Sequence, residues 1–148
     1  MRKTILTGLA GCALALGVAA APAMRSVWDG VYTAGQAAHG ADLYARRCAI
    51  CHGSVLEGSA QAPPLTGEFI PDWAGTRLAD LFDKISTTMP LDHPGALDAA
   101  SNADILAFLL KANGFPAGPA ALAPDVAALQ SITFDVTEPV QGAAGKRR

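Results

Sequence analysis

The residues best suited to chemistry in this chain are Cys48, Cys51 and His52, which lie in the stretch Cys-Ala-Ile-Cys-His. Two cysteines separated by two residues and followed directly by a histidine are typical of a c-type haem attachment site. The spacing suits the chemistry, because each thiol can add to one vinyl group of a haem while the adjacent imidazole becomes the proximal iron ligand. The motif therefore predicts one covalently bound haem c.

Two other chemistries use closely spaced cysteines. A structural zinc site needs four protein ligands, and outside the motif only His39 and His93 remain, neither of them in a second paired motif. A thioredoxin-like dithiol is expected in a βαβ context, which the sequence pattern does not indicate. Haem attachment is the favoured interpretation, with zinc and a redox dithiol as the alternatives.

A second iron ligand is expected from a different part of the chain. Met89 lies between a predicted helix end and Pro90, and its thioether is a soft ligand that raises the reduction potential of haem iron. The same side chain could instead fill a gap in the core. His93 is the rival ligand, and an open sixth position is the third possibility. Met24 lies too near the start of the mature chain to be expected as a ligand, and His39 is expected to be an exposed helix residue.

Two further side chains are candidates at the haem edge. Trp73 is expected to pack there with its indole N–H on a propionate, because a buried tryptophan N–H usually has an acceptor. Arg77 could neutralise a propionate, although a solvated arginine at a helix start is the commoner case.

The first of three predicted main helices leads directly into Cys48. Thr33 and Gln36 have the spacing of a capping box, which predicts a helix over residues 34–47. Apolar and small residues recur on one face at helical spacing. The predicted core face is Ala37, Gly40, Ala41 and Tyr44.

Two more helices follow, separated by loops that the haem can support. An amphipathic stripe predicts a second helix that begins at Thr76 and ends before Pro90. A third helix is predicted over residues 102–113, with Gly114 just beyond its end. A short helical turn and an extended segment are expected after it. The predicted loops are residues 53–73 and 91–100, the turn is 124–129, and the extended segment is 132–134.

The N-terminus has the form of a secretory signal peptide. A basic start is followed by an apolar stretch from Ile5 to Ala20 and by the small-x-small sequence Ala-Pro-Ala, so residues 1–23 are predicted to be removed on export to the periplasm. A retained membrane anchor is the alternative, although the apolar run is at or below the usual length of a spanning helix. Cys12 also matches the form of a lipoprotein signal, but the apolar run continues past it.

The length and composition suit one small exported domain. After cleavage two cysteines remain, and two thioethers would use both of them, which leaves none for a disulfide. A covalent haem would then supply the stabilising cross-link that a small exported domain needs. No basic stripe indicates a nucleic-acid partner, and no nucleophile–base pair indicates hydrolysis. The predicted organisation is a haem domain (24–115), an Ala/Pro-rich extension packed on it (116–136), and a disordered tail (137–148).

Several motifs together resemble the class I c-type cytochromes, over about residues 33–114. The resemblance implies an all-α class I cytochrome c fold, with three main helices and loops around one covalent haem. It implies that the carbonyl of Pro63 accepts a hydrogen bond from Nδ1 of His52, and that Met89 is the sixth ligand. The matching residues are Gly40, Tyr44 and Phe108 in the terminal helices, Pro63, Leu65 and Gly67 after the haem motif, and Thr88-Met89-Pro90.

The wider pattern resembles small periplasmic cytochromes found beside quinoprotein dehydrogenases. That resemblance implies a one-electron carrier, not an enzyme, which accepts electrons from such a dehydrogenase and passes them to an oxidase or another cytochrome, with no membrane span in the mature chain. The alternatives are a cytochrome subunit fixed in a dehydrogenase complex, a haem-based gas or redox sensor if Met89 is not a stable ligand, and a non-redox structural subunit. Apolar residues expected around an exposed haem edge are Ala49, Ile50, Ala62, Pro90 and Leu91.

Overall fold

The computed structural model describes residues 23–138, and over that range the chain is mainly helical. The elements in chain order are β1 (Arg25–Ser26), a 3₁₀ turn (Val27–Asp29), α1 (Ala34–Arg47), α2 (Ala49–His52), α3 (Phe69–Asp72), α4 (Leu78–Thr88), α5 (Ala99–Ala112), α6 (Val126–Leu129) and β2 (Ile132–Thr133). The predicted all-α fold is confirmed, with α1, α4 and α5 as its three main helices.

The first main helix has the predicted bounds, but only half of the predicted capping box. The hydroxyl oxygen of Thr33 accepts a hydrogen bond from the backbone N–H of Gln36 at 3.1 Å. The side chain of Gln36 does not return the bond to Thr33. Instead its Nε2 donates to the carbonyl of Leu122 at 3.0 Å, and its Oε1 accepts from the N–H of Leu122 at 2.8 Å. Gln36 therefore fastens the C-terminal extension to α1.

Helices α1 and α5 cross closely, and this contact contains much of the core. Gly40 of α1 is buried, and a Cβ at that position would meet the backbone carbonyl of Asp104 in α5. The ring of Phe108 lies against Tyr44, with the two centroids 5.2 Å apart. Gly40 thus touches the backbone of α5, while the contact between Phe108 and Tyr44 lies one turn further along α1.

The other main helices begin at residues that differ from the predicted ones. α4 starts at Leu78 rather than Thr76, and the carboxylate of Asp80 accepts a hydrogen bond from the N–H of Arg77 at 3.0 Å. α4 ends at Thr88, as expected from the proline that follows Met89.

The third main helix starts earlier than predicted because Asp98 caps it. The carboxylate of Asp98 accepts a hydrogen bond from the N–H of Ser101 at 2.7 Å, so α5 begins at Ala99 rather than Asn102. Gly114 follows the helix end with a φ of 85°, as its predicted position requires. A short helix, α3, also interrupts the segment that was predicted to be entirely loop.

The two ends of the described chain bind each other. β1 and β2 form a parallel pair in which Arg25 lies opposite Ile132, so the predicted extended segment has a strand partner that the sequence pattern did not reveal. The indole N–H of Trp28 donates to the carbonyl of Asp135 at 3.0 Å, and the hydroxyl of Tyr32 donates to the carbonyl of Phe115 at 2.6 Å. We call residues 25–33 and 115–135 together the terminal clasp. Its buried apolar residues include Leu122, Leu129 and Phe134.

Two of the predicted segments fall largely outside the described residues. Residues 1–22 of the predicted signal peptide and residues 139–148 of the predicted tail lie outside the described residues. Among the helices between residues 23 and 138, none has the length and apolar character needed to cross a membrane.

The close crossing of α1 and α5 predicts that one added methyl group destabilises the protein at position 40 but not at position 35. Gly40→Ala should lower the free energy of unfolding by about 1–3 kcal/mol, because the added Cβ meets a backbone carbonyl that cannot turn aside. Gly35→Ala is the matched control in the same helix, since a Cβ there meets nothing within 4 Å. It should leave stability equal or raise it by up to about 1 kcal/mol. Urea unfolding of the holoprotein measures both; equal midpoints for the two variants would contradict the crossing.

Candidate haem site

A cavity of about 840 Å³ lies among the haem motif, the loop after it, α3, α4, the loop after α4, and α5. This volume is within the usual range for cofactor sites. The residues predicted from the sequence that border it are Cys48, Cys51, His52, Pro63, Leu65, Trp73, Met89 and His93. The tertiary structure thus brings together the residues that were predicted to bind the cofactor, apart from the propionate candidate Arg77.

The haem motif is held on one helical turn. Cys48 ends α1, where its N–H donates to the carbonyl of Tyr44 at 2.8 Å, and its own carbonyl accepts from the N–H of His52 at 3.0 Å as α2 begins. Cys48 is half-buried and Cys51 is exposed, and the two form no disulfide. Before haem attachment, burial raises the pKa of the Cys48 thiol to about 11, with a further contribution from Cys51.

The imidazole of His52 is oriented by the loop that follows the motif. Its Nδ1 lies 2.9 Å from the carbonyl oxygen of Pro63. Because a carbonyl can only accept, Nδ1 donates in this contact, and Nε2 of the neutral imidazole is the nitrogen available to a metal.

A residue that sequence reasoning missed fixes this loop from the other side. The side-chain Nδ2 of Asn113, at the end of α5, donates to the carbonyl of Leu65 at 2.9 Å. The N–H of Leu65 donates in turn to the carbonyl of Leu56 at 2.9 Å. The sequence indicated Asn113 only as a helix end, because its contact with Leu65 joins distant parts of the chain.

Tyr44 anchors the chain directly after His52. Its hydroxyl donates to the carbonyl of Gly53 at 2.6 Å, and the ring borders the cavity. Burial, followed by the proximity of Cys48 and Glu57, raises the pKa of Tyr44 to about 12. The phenol therefore remains a hydrogen-bond donor at physiological pH.

The two candidates for the second iron ligand border the cavity with different exposure. Met89 is partly buried directly after α4, and its N–H donates to the carbonyl of Ile85 at 3.1 Å. The His93 side chain is 77% exposed and lies 3.1 Å from the carboxylate of Asp92. Met24 is exposed and does not border the cavity. His39 is also outside the cavity lining; its Nδ1 lies 2.6 Å from the carboxylate of Asp104.

The cationic residues at the cavity differ from the one that the sequence suggested. Arg77 does not border the cavity, and its guanidinium donates to the hydroxyl of Thr133 at 2.9 Å within the terminal clasp. The cationic residues that do border it are Arg46, Arg47 and Lys84. The sequence could have indicated Arg46 and Arg47, because they directly precede Cys48, whereas the position of Lys84 depends on how α4 packs.

The edge of the cavity carries exposed apolar side chains. Ile50 is 92% exposed and Leu91 is 75% exposed, and both border the cavity. Of the other apolar residues expected at the haem edge, Ala62 and Pro90 also border it, whereas Ala49 does not. These residues lie at the entrance of the site rather than in its core.

The donor set fits a haem c and not a zinc ion. Two thiols and an imidazole lie on one turn, the imidazole has a carbonyl partner, and the cavity walls are mainly apolar. Between residues 23 and 138 no three His, Cys, Asp or Glu side chains are grouped so that they could hold a metal ion by themselves. The further ligands that a zinc site would require are therefore not assembled in this part of the chain.

Comparison with known protein families identifies the fold. Residues 35–109 match the family described as cytochrome c oxidase, cbb3-type, subunit III. The chain belongs to this family. It is a class I c-type cytochrome, as its motifs predict: an electron-transfer protein rather than a catalytic enzyme, with covalently bound haem c.

One solved structure is also similar to the cytochrome. The crystal structure of the sulfane dehydrogenase SoxCD from Paracoccus pantotrophus matches with 27% sequence identity and a TM-score of 0.45. The match covers 70% of this chain and 60% of that one, so the cytochrome spans less than two thirds of the length of this relative. No match was found among curated proteins.

The hydrogen bond of Tyr44 predicts that its loss will change the haem spectrum, whereas loss of the hydrogen bond of Tyr32 will not. Tyr44→Phe removes the hydrogen bond to Gly53 directly after His52, and should lower stability by about 1 kcal/mol while shifting the Soret spectrum and the reduction potential. Tyr32→Phe is the matched control, since it loses an equally short buried bond to Phe115 away from the cavity. It should lower stability without a spectral change. An unaltered haem spectrum in Tyr44→Phe would show that this bond does not position the site.

Proposed function

We propose that the cytochrome is a periplasmic one-electron carrier with a single haem c and with His52 and Met89 as its axial ligands. The observation that carries this proposal is that both side chains border one mainly apolar cavity from separate elements, α2 and the end of α4. The partial burial of Met89, against the exposed and carboxylate-paired His93, favours the thioether as the sixth ligand.

The residues around the cavity have distinct roles in this proposal. Cys48 and Cys51 hold the group by two thioether bonds, and the Pro63 carbonyl keeps the proton of His52 on Nδ1. When bound, the haem supplies the one-electron chemistry. With His52 and Met89 both bound to the iron, no coordination position would remain for a substrate. Apolar walls would limit the access of water to the haem, and this exclusion of water helps to set its reduction potential.

Donor and acceptor are proposed to dock at the cavity entrance. Ile50 and Leu91 present apolar surface there, and a carrier that must bind briefly needs an interface of less than about 1,200 Å². The donor that we propose is a periplasmic dehydrogenase of the quinoprotein type, from the resemblance of the sequence motifs. The acceptor is an oxidase or a second cytochrome.

Export is part of the same proposal. The basic start, the apolar stretch and the Ala-Pro-Ala sequence support a signal peptide that is cleaved after Ala23. The mature protein would then consist of the haem domain to residue 115, the extension to residue 136 and the tail. Thioether formation outside the cytoplasm would use both remaining cysteines.

Covalent attachment is tested by mass. The exported protein should keep one haem after acid–acetone extraction, and its intact mass should exceed that of the mature chain by one haem. A Cys48→Ala/Cys51→Ala variant should lose any haem to the solvent under the same conditions, because a thioether survives extraction and coordination does not. Extraction of haem from the wild-type protein would contradict the proposal.

Axial ligation is tested by three variants. Met89→Ala should open the iron to CO and lower the reduction potential, because it removes the thioether. His93→Ala and Met24→Ala are the controls, and both should keep the low-spin spectrum and the potential of the wild type. A Met89→Ala protein that neither binds CO nor changes its potential would assign the sixth position to another residue.

A further inference from the structure

We propose that Phe134 of the terminal clasp is a positioning residue for the haem site, where it holds Phe69 and Trp73 in place as one wall of the cavity. The inference rests on the proposed function, because it assigns a role at the same site. Phe134 lies outside the matched residues 35–109, so this role belongs to the extension of this chain and not to the shared family domain.

The backbone of Phe134 is fixed to the turn that follows Trp73. Its N–H donates to the carbonyl of Thr76 at 2.9 Å, and its carbonyl accepts from the N–H of Gly75 at 2.9 Å. The hydroxyl of Thr76 donates to the carbonyl of Trp73 at 2.8 Å. The extension therefore holds the segment between Trp73 and α4 by hydrogen bonds that do not depend on the Phe134 side chain.

The ring of Phe134 supports the cavity wall from behind. It is fully buried and does not itself border the cavity. Its centroid lies 6.4 Å from that of Phe69, with an edge-on angle of 83°, and Phe69 lies 6.3 Å from Trp73 at 52°. Both Phe69 and Trp73 border the cavity. Phe134 thus acts on the site through these two rings.

The terminal clasp prevents Phe134 from moving away from Phe69. The ring of Phe115 packs on Phe134 at 5.3 Å, and Trp28 packs on Phe115 at 4.8 Å. A continuous row of five aromatic rings therefore runs from Trp28, in the N-terminal part of the clasp, to Trp73 at the cavity. Close packing of this kind transmits the loss of one ring to its neighbours, because interiors have little free volume.

Loss of the Phe134 ring should lower the reduction potential. Space behind Phe69 would let Phe69 and Trp73 withdraw from the cavity and admit water. A more polar surrounding favours the oxidised iron, which carries one more positive charge. We expect the equilibrium to shift towards Fe(III) by a factor of about three to ten, where tenfold corresponds to about 59 mV for one electron.

The experiment is potentiometric titration of the full-length holoprotein, together with its circular dichroism in the Soret region. Phe134→Ala should show the lower potential and an altered Soret signal. Leu129→Ala is the matched control, since Leu129, like Phe134, is fully buried in the clasp and does not border the cavity, but is not part of the aromatic row that reaches Phe69. It should lose stability and keep the wild-type potential. Should Phe134→Ala yield no holoprotein, Phe134→Leu keeps most of the volume without the aromatic edge and should show a smaller shift in the same direction.

The outcomes separate this inference from the function on which it rests. A lower potential in the Phe134 variants alone supports the positioning role. An unchanged potential in the Phe134 variants, or an equal fall in Leu129→Ala, overturns it while leaving the electron carrier intact. A wild-type protein without covalent haem would overturn both.

Discussion

The close crossing of α1 and α5 is the constraint on which the site depends. It is possible only because Gly40 brings no side chain to the backbone of Asp104. With the helices in contact, α1 delivers Cys48 to the cavity, while α5 contributes Ile105 and Leu109 to the wall. The end of α5 also supplies Asn113, which holds the loop that orients His52. One packing contact thus places both the turn that carries the haem motif and the support of His52.

The terminal clasp gives this small domain a second set of long-range contacts. Gln36 forms two hydrogen bonds with Leu122, and β1 pairs with β2, so each end of the described chain is held by the other. The clasp lies behind α4 and the Trp73 turn rather than at the cavity entrance. This leaves Ile50 and Leu91 exposed at the cavity entrance, while the aromatic row lies behind the inner wall.

The sequence predicted the parts of the fold that depend on neighbouring residues. The bounds of α1 and the end of α4 followed from Thr33 and from Pro90, because caps and prolines act within one turn. The start of α5 was misplaced, since Asp98 and Ser101 are both good caps and only the folded chain selects Asp98. The prediction that the Gln36 side chain completes a capping box was wrong for the same kind of reason, because the partner that it binds instead, Leu122, is far away in the sequence.

By itself, the sequence determined the haem chemistry, because attachment needs only two thiols and an imidazole at fixed spacing on one turn. It also limited the candidates for the sixth ligand to Met89 and His93. Only the tertiary structure decided that Lys84 borders the cavity, that Asn113 holds the Pro63 loop, and that Arg77 binds Thr133 in the clasp. The contacts of Asn113 and Arg77 join residues more than forty positions apart, and no local pattern encodes them, because they arise from how the helices pack.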